Sequence, residues 1–200
     1  TRKMLLNKHS IAFIDFDKTI YDLQIPDYEE KRAILAKNVK EKYQVDTSLY
    51  PILEDTDKIS KDDASIKKYI YDYIDGVEHK ATGYFYDYAE KLLKKLSLQM
   101  PVVIVSNNSG DVISQRLKEF NLDQQVRYVY GRGTFEYYKP MGKVLEYCCR
   151  ILSMTPADAD NFVFFGDSWR DYSCAADFAA KNNLSYTFIH PKLLTHTDIL

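Results

Sequence analysis

Cysteine, net charge and long apolar runs are all in short supply in this chain, and each shortage closes off a class of protein. Three cysteines in 200 residues, two of them the neighbours Cys148 and Cys149, make no even disulfide framework and have no metal-ligand spacing. They point to a reducing, cytoplasmic home. A formal charge of -2 gives no general attraction to nucleic acid or to an acidic membrane, so an anionic substrate has to be captured by a local site. No apolar run approaches bilayer-spanning length. Met4-Leu5-Leu6 is too short for the apolar part of a signal peptide, and the stretch after it is broken by Asp15 and Asp17. Internal repeats, low-complexity tracts and coiled-coil heptads are missing too. What is left, 46% hydrophobic and 28% charged residues, suits a soluble protein with one good core and a small second lobe. A monomer or homodimer is expected, though composition does not choose between them.

The chain reads as alternating strands and helices. Apolar runs at Ile11-Ala12-Phe13-Ile14, Val102-Val103-Ile104-Val105 and Phe162-Val163-Phe164-Phe165 have the length of buried strands, and Val126 to Tyr130 and Tyr186 to Ile189 add two more. Helix-length segments near Phe85 to Leu96, Ser109 to Phe120, Gly142 to Leu152 and Asp171 to Lys181 separate them. That alternation predicts right-handed crossovers and an α/β fold with a mostly parallel sheet flanked by helices. Between the first two strands the pattern turns helical over residues 22–82, which marks an insertion. Asp27 followed by Glu30 is a capping-box-like start for a helix to about Gln44, and Ser60 can cap a second helix carrying Ile66, Tyr69, Ile70, Tyr73 and Ile74 on one side.

Four short segments carry the chemistry, and three of them directly follow a buried strand, where α/β sheets bind ligands. Asp15 and Asp17 leave an extended backbone on the same side. Held that close, either one of them is protonated or a cation sits between them. In a functional reading Asp15 is a nucleophile toward phosphorus and Asp17 an acid and base; in a bland one they form a turn or cap pair. Ser106-Asn107 offers a hydroxyl and backbone N–H groups at a helix start, or simply a turn. Lys139-Pro140 offers an ammonium to offset charge on a phosphate and on Asp15, or a solvated lysine. Gly166-Asp167-Ser168-Trp169-Arg170-Asp171 places two acids one helical turn apart, as metal ligands or as helix-capping groups.

In this order and on these elements, the segments resemble the haloacid dehalogenase superfamily, whose motifs are D-x-D-x-T, a strand ending in Ser or Thr, a lysine before a helix, and G-D-x-x-x-D. The resemblance covers the whole chain. It implies a Rossmann-like core, residues 1–21 and 83–200, with strand order 5-4-1-2-3. Residues 22–82 resemble the small helical cap of the phosphoglycolate-phosphatase-like branch. It further implies Asp15 and Asp17 as catalytic residues, Thr19, Ser106, Asn107 and Lys139 around the phosphate, and magnesium held by Asp15, Asp17, Asp167 and Asp171. The dehalogenases of the family lack the second aspartate of the first motif, so Asp17 points to phosphate esters. The expected activity is hydrolysis of a small phosphorylated metabolite through an aspartyl-phosphate. A phosphosugar mutase and a non-enzymatic phospho-acceptor signalling domain are the alternatives. Among the tyrosines of the insertion, packing is the favoured role. Lys18, Arg132 and Arg170 are expected to be solvated or ion-paired, Cys174 to be core, and His9, His79, His190 and His196 have no ligand spacing.

Overall fold

The computed structural model describes residues 9–194; Met4-Leu5-Leu6 and His196 lie outside the described residues. The chain divides into two compact units, residues 1–23 with 83–200 and residues 24–82.

The larger unit is built on a parallel sheet of five strands: β1 (Ala12–Ile14), β4 (Val102–Ser109), β5 (Tyr128–Arg132), β6 (Phe162–Phe165) and β7 (Tyr186–Ile189). They lie side by side in the order β5-β4-β1-β6-β7. Counted along this sheet alone, that is the expected 5-4-1-2-3 arrangement read from the opposite edge. β1 is central, pairing Ala12, Phe13 and Ile14 with Val102, Val103 and Ile104 on one side and with Val163, Phe164 and Phe165 on the other. Its residues have no polar side chain because both sheet faces are covered: every residue of β1 and β6 is buried. Phe13 packs edge-on to Phe162 and Phe178 at ring-centre distances of 5.7 and 6.3 Å. The same cluster takes in Val144, Leu145, Cys148 and Cys149 from helix α6 (Lys143–Ile151) and Cys174, Ala175 and Phe178 from helix α7 (Trp169–Asn182). All three cysteines are buried and free, so Cys174 is core. Helices α4 (Ala89–Ser97) and α5 (Gly110–Glu119) complete the unit.

Two further strands, β2 (Tyr21–Gln24) and β3 (Thr82–Phe85), pair with each other on either side of the insertion, a feature the sequence reading lacked. Here Gly83 serves close approach: a Cβ on it would lie 2.4 Å from both the Asp22 carbonyl oxygen and the Tyr21 ring. Tyr21 in turn stacks on Phe16 at 4.8 Å.

The smaller unit holds three helices, α1 (Tyr28–Tyr43), α2 (Ile52–Ile59) and α3 (Ala64–Lys80), around Leu35, Val39, Leu49, Ile66, Ile70 and Ile74. Tyr43, Tyr69, Tyr71 and Tyr73 pack against that cluster. Two expected caps differ. Asp27 sits at φ 54°, in the left-handed region, and makes no side-chain cap bond, because a capping side chain reaches the first amides only from extended backbone. Ser60 closes α2, its N–H donating to the Thr56 carbonyl at 3.0 Å, and α3 is capped instead by Asp63, which accepts from the Ser65 N–H at 2.9 Å. Helix α2 was missed because it is only two turns long and buries only Leu53 and Thr56. Among the described residues, no helix is long and apolar enough to cross a membrane.

Candidate active site

The register of the sheet sets the site. Because Ile14 lies level with Phe165 and the Asp15 N–H donates to the Phe165 carbonyl at 2.9 Å, Asp15 emerges at the carboxyl end of β1 beside the Gly166-Asp167 turn. After Phe16 the chain turns tightly, with the N–H groups of Thr19, Ile20 and Tyr21 all directed to the Phe16 carbonyl and Lys18 in the left-handed region at φ 62°. That turn brings Thr19 back to Asp15, its hydroxyl 3.4 Å from Oδ2, a distance at the outer limit of a hydrogen bond. It also fixes Asp17, whose Oδ1 accepts the Leu23 N–H at 2.9 Å.

Lys139 is the centre of charge. Its Nζ donates to Asp15 Oδ1 at 2.6 Å and to Asp171 Oδ1 at 2.5 Å, and all three side chains are buried. Its main chain is held as firmly as its ammonium. The Asn107 carboxamide accepts the Lys139 N–H and donates to the Lys139 carbonyl, both at 3.0 Å, and Arg170 donates to that same carbonyl at 3.0 Å. The Asn107 side chain is therefore spent on orienting Lys139. Ser106, buried at the end of the apolar part of β4, has its hydroxyl tied to Asn108, donating to Oδ1 at 3.0 Å and accepting the Asn108 N–H at 3.1 Å.

Asp171 has both oxygens committed. Beyond Lys139, its Oδ2 accepts the N–H groups of Asp167 and Ser168 at 3.1 Å each and the Ser168 hydroxyl at 2.8 Å, a reciprocal capping box that starts α7. Gly166 makes room for this: a Cβ there would lie 2.5 Å from Asp171 Cβ. The capping and the functional readings of this segment thus coexist in one residue.

Burial governs the ionisation of the acids. It raises the Asp15 carboxyl to about 7, with Lys139 pulling the other way and Asp171 adding to the rise. Asp17 is raised by burial against the Leu23 N–H and Lys18, and Asp167 by burial and by the Asp171 charge. On Lys139 burial acts downward, but the Asp15 and Asp171 carboxylates outweigh it and hold the ammonium above its ordinary value.

Oxygens of Asp15, Asp167 and Asp171 all lie within 4.8 Å of one another. One buried ammonium against three carboxylates leaves an excess of negative charge, and the donors are hard oxygens without sulfur or imidazole. That donor set fits a small hard cation such as magnesium. Asp171 already accepts from Lys139, from the Asp167 and Ser168 amides and from the Ser168 hydroxyl, so Asp15 and Asp167 keep the greater ligand capacity; the Asp17 side chain is turned to Leu23 and its carbonyl is the group it could add.

The other basic groups are engaged elsewhere. Lys18 pairs with Asp22, and Arg132 donates to the Asn107 carbonyl at 3.2 Å. His9 meets the Asn161 carbonyl at 2.8 Å and His190 accepts the Lys192 N–H at 3.1 Å. One neighbour of the site went unread in the sequence: Tyr88, whose hydroxyl donates to the Thr19 carbonyl across 69 positions of chain. No local pattern announces such a pairing.

A central parallel sheet with clustered acids and a buried lysine at its carboxyl edge defines a Rossmann-like α/β protein with a ligand site of the hydrolase kind. The chain matches the family Haloacid dehalogenase-like hydrolase over residues 11–182, and it belongs to that family. Solved structures of similar fold include a predicted phosphoglycolate phosphatase from Haemophilus somnus, 17% identical, covering 96% of this chain and 98% of that one at a TM-score of 0.57. Others are a hydrolase of the same superfamily from Ehrlichia chaffeensis, with 16% identity, coverage of 91% and 86% and a TM-score of 0.55, and a haloacid dehalogenase-like family protein from Streptococcus pneumoniae, with 12%, 94% and 97%, and 0.53. A search of curated proteins found no match.

Proposed function

We propose that the protein is a magnesium-dependent phosphatase that hydrolyses a small phosphomonoester through an aspartyl-phosphate on Asp15. The observation that carries this reading is the buried Lys139 ammonium bridging Asp15 at 2.6 Å and Asp171 at 2.5 Å, with Asp17 held two residues on. Lys139 opposes the rise that burial imposes on Asp15 and aims one of its oxygens, so the other is available to attack phosphorus in line. The alcohol that leaves takes a proton from Asp17, whose raised pKa suits an acid; Asp17 then takes a proton from the water that attacks phosphorus and frees Asp15. Thr19, Ser106 and the backbone after Ser106 bind the phosphoryl oxygens, and Asn107 and Arg170 act by fixing Lys139. Asp15, Asp167 and the Asp17 carbonyl are the groups that would hold a magnesium ion, which would supply charge neutralisation for the phosphoryl group.

The inserted helical unit is assigned to substrate selection, and the three free buried cysteines favour the cytoplasm. Hydrolysis of an aryl phosphate with magnesium tests the reading. Asp15→Asn, which keeps shape and can still accept from Lys139, is expected to lower kcat by about a thousandfold with an unchanged melting temperature. Undiminished turnover by that variant removes Asp15 as the nucleophile.

A further inference from the structure

In the double displacement proposed above, the leaving group departs on the side of the acid that protonates it, so the side chains around Asp17 are those that meet it. Those neighbours are unusual. Tyr84 lies in β3, Tyr86 just beyond its end and Tyr88 at the N-cap of α4. Tyr88 is anchored by its hydroxyl on the Thr19 carbonyl, and Tyr86 stacks on Tyr88 with ring centres 5.7 Å apart and planes 20° from parallel. Tyr84 stands at 90° to Tyr86 at 5.9 Å and is 49% exposed. The rings thus form an aromatic corner with an open side. The Tyr86 N–H donates to the Ile20 carbonyl at 3.0 Å, which seats this residue beside the turn that carries Asp17, and burial raises its phenol. At Tyr88, too, burial raises the phenol.

Aromatic rings pair best offset-stacked or edge-to-face, and a corner of two perpendicular rings offers a flat ligand both contacts at once. A non-planar alcohol gains only the contact area. We infer that Tyr86 and Tyr84 determine specificity, selecting phosphate esters whose leaving group carries a planar ring; this rests on the phosphatase reading for where the leaving group departs. Tyr88 is the positioning residue that ties the corner to the catalytic turn.

The test is equilibrium binding, by calorimetry with magnesium present, of three non-hydrolysable probes: methylphosphonate, cyclohexylphosphonate and phenylphosphonate. The last two match in size and differ in flatness. Wild type is expected to bind phenylphosphonate about tenfold more tightly than cyclohexylphosphonate. Tyr86→Leu, which keeps apolar bulk and removes the flat face, is expected to erase that preference while methylphosphonate binding stays unchanged. Adenosine 5'-monophosphate and phenyl phosphate, compared in kcat/KM for wild type and Tyr86→Leu, tell a ring beyond a ribose from one at the phosphate by which of them loses more.

Equal affinity for the flat and puckered probes in wild type overturns the inference. So does a Tyr86→Leu variant that weakens all three probes alike, which is the result of a purely structural role. Ring preference without turnover of any ester sinks the phosphatase reading and leaves the corner standing as a binding site; turnover without ring preference does the reverse. Failure to bind any of the probes rejects both.

Discussion

Replacing Lys139 by Met tests the electrostatic core of the site in a way that does not depend on finding the substrate. The methionine fills much of the same volume but withdraws the ammonium that touches Asp15 Oδ1 and Asp171 Oδ1. Lys139 is 4% exposed and Asp171 fully buried, so water cannot take its place. Removing one partner of a buried ionic network costs about 3–5 kcal/mol, because the remaining charges keep their desolvation penalty. In a protein of this size that is a fall in melting temperature of about 10 °C. The sign of the pH dependence follows from Asp15. Its folded carboxyl is already raised by burial to about 7 with Lys139 opposing, so without Lys139 it rises further. A group whose folded pKa lies above its unfolded one favours the fold at low pH, and that advantage is lost as pH climbs toward the folded pKa. The deficit of Lys139→Met relative to wild type is therefore smaller at pH 5 than at pH 8, in chelator so that no metal substitutes for the ammonium. Thermal melts of the two proteins at both pH values decide it. A deficit that is equal at the two, or larger at pH 5, refutes the account of Lys139 as the counter-charge of Asp15.

Three other changes have distinct readouts. Gly166→Ala forces a Cβ to within 2.5 Å of Asp171 Cβ, and a destabilisation of about 1–3 kcal/mol in urea titration is expected, with activity falling as the α7 start is displaced. Asn107→Ala frees the Lys139 main chain from two hydrogen bonds, so stability drops by about 1–3 kcal/mol and kcat falls more than KM changes; a pure KM effect argues for direct phosphate contact by the carboxamide instead. Asp17→Asn removes the acid and base without touching the Asp15 contacts, so with an activated aryl ester the protein accumulates a phosphorylated form visible as an added phosphoryl mass, whereas normal release of phosphate counts against Asp17 as the base.

How much of this was readable in the sequence depends on where each signal is written. Phe162 to Phe165 and Val102 to Val105 are strands that bury both faces, so their identity lies in a contiguous apolar run, and the acids and hydroxyls at their ends come along with them. The parallel sheet followed from handed crossovers, and its strand order from the family likeness. Pairings between distant, short and half-exposed segments carry no such signal: β2 and β3 are four residues each and meet only because the chain returns after the insertion. The same applies to roles within the site. Asn107 looks like a phosphate ligand from its place after Ser106, and only the fold reveals that its carboxamide is turned to Lys139, 32 positions on. Asp27 shows the limit of cap rules, since its side chain is competent and its backbone conformation is not.

The pocket is stitched from β1, the end of β4, the loop after β5 and the turn after β6, and its central ammonium spans to partners 124 and 32 positions away in the chain. No half of the molecule can therefore hold a competent centre. During synthesis Asp15 is made before the counter-ion and the capping acid that it meets in the folded chain. The cluster is then a gauge of the finished fold, because it exists only when β6 lies beside β1.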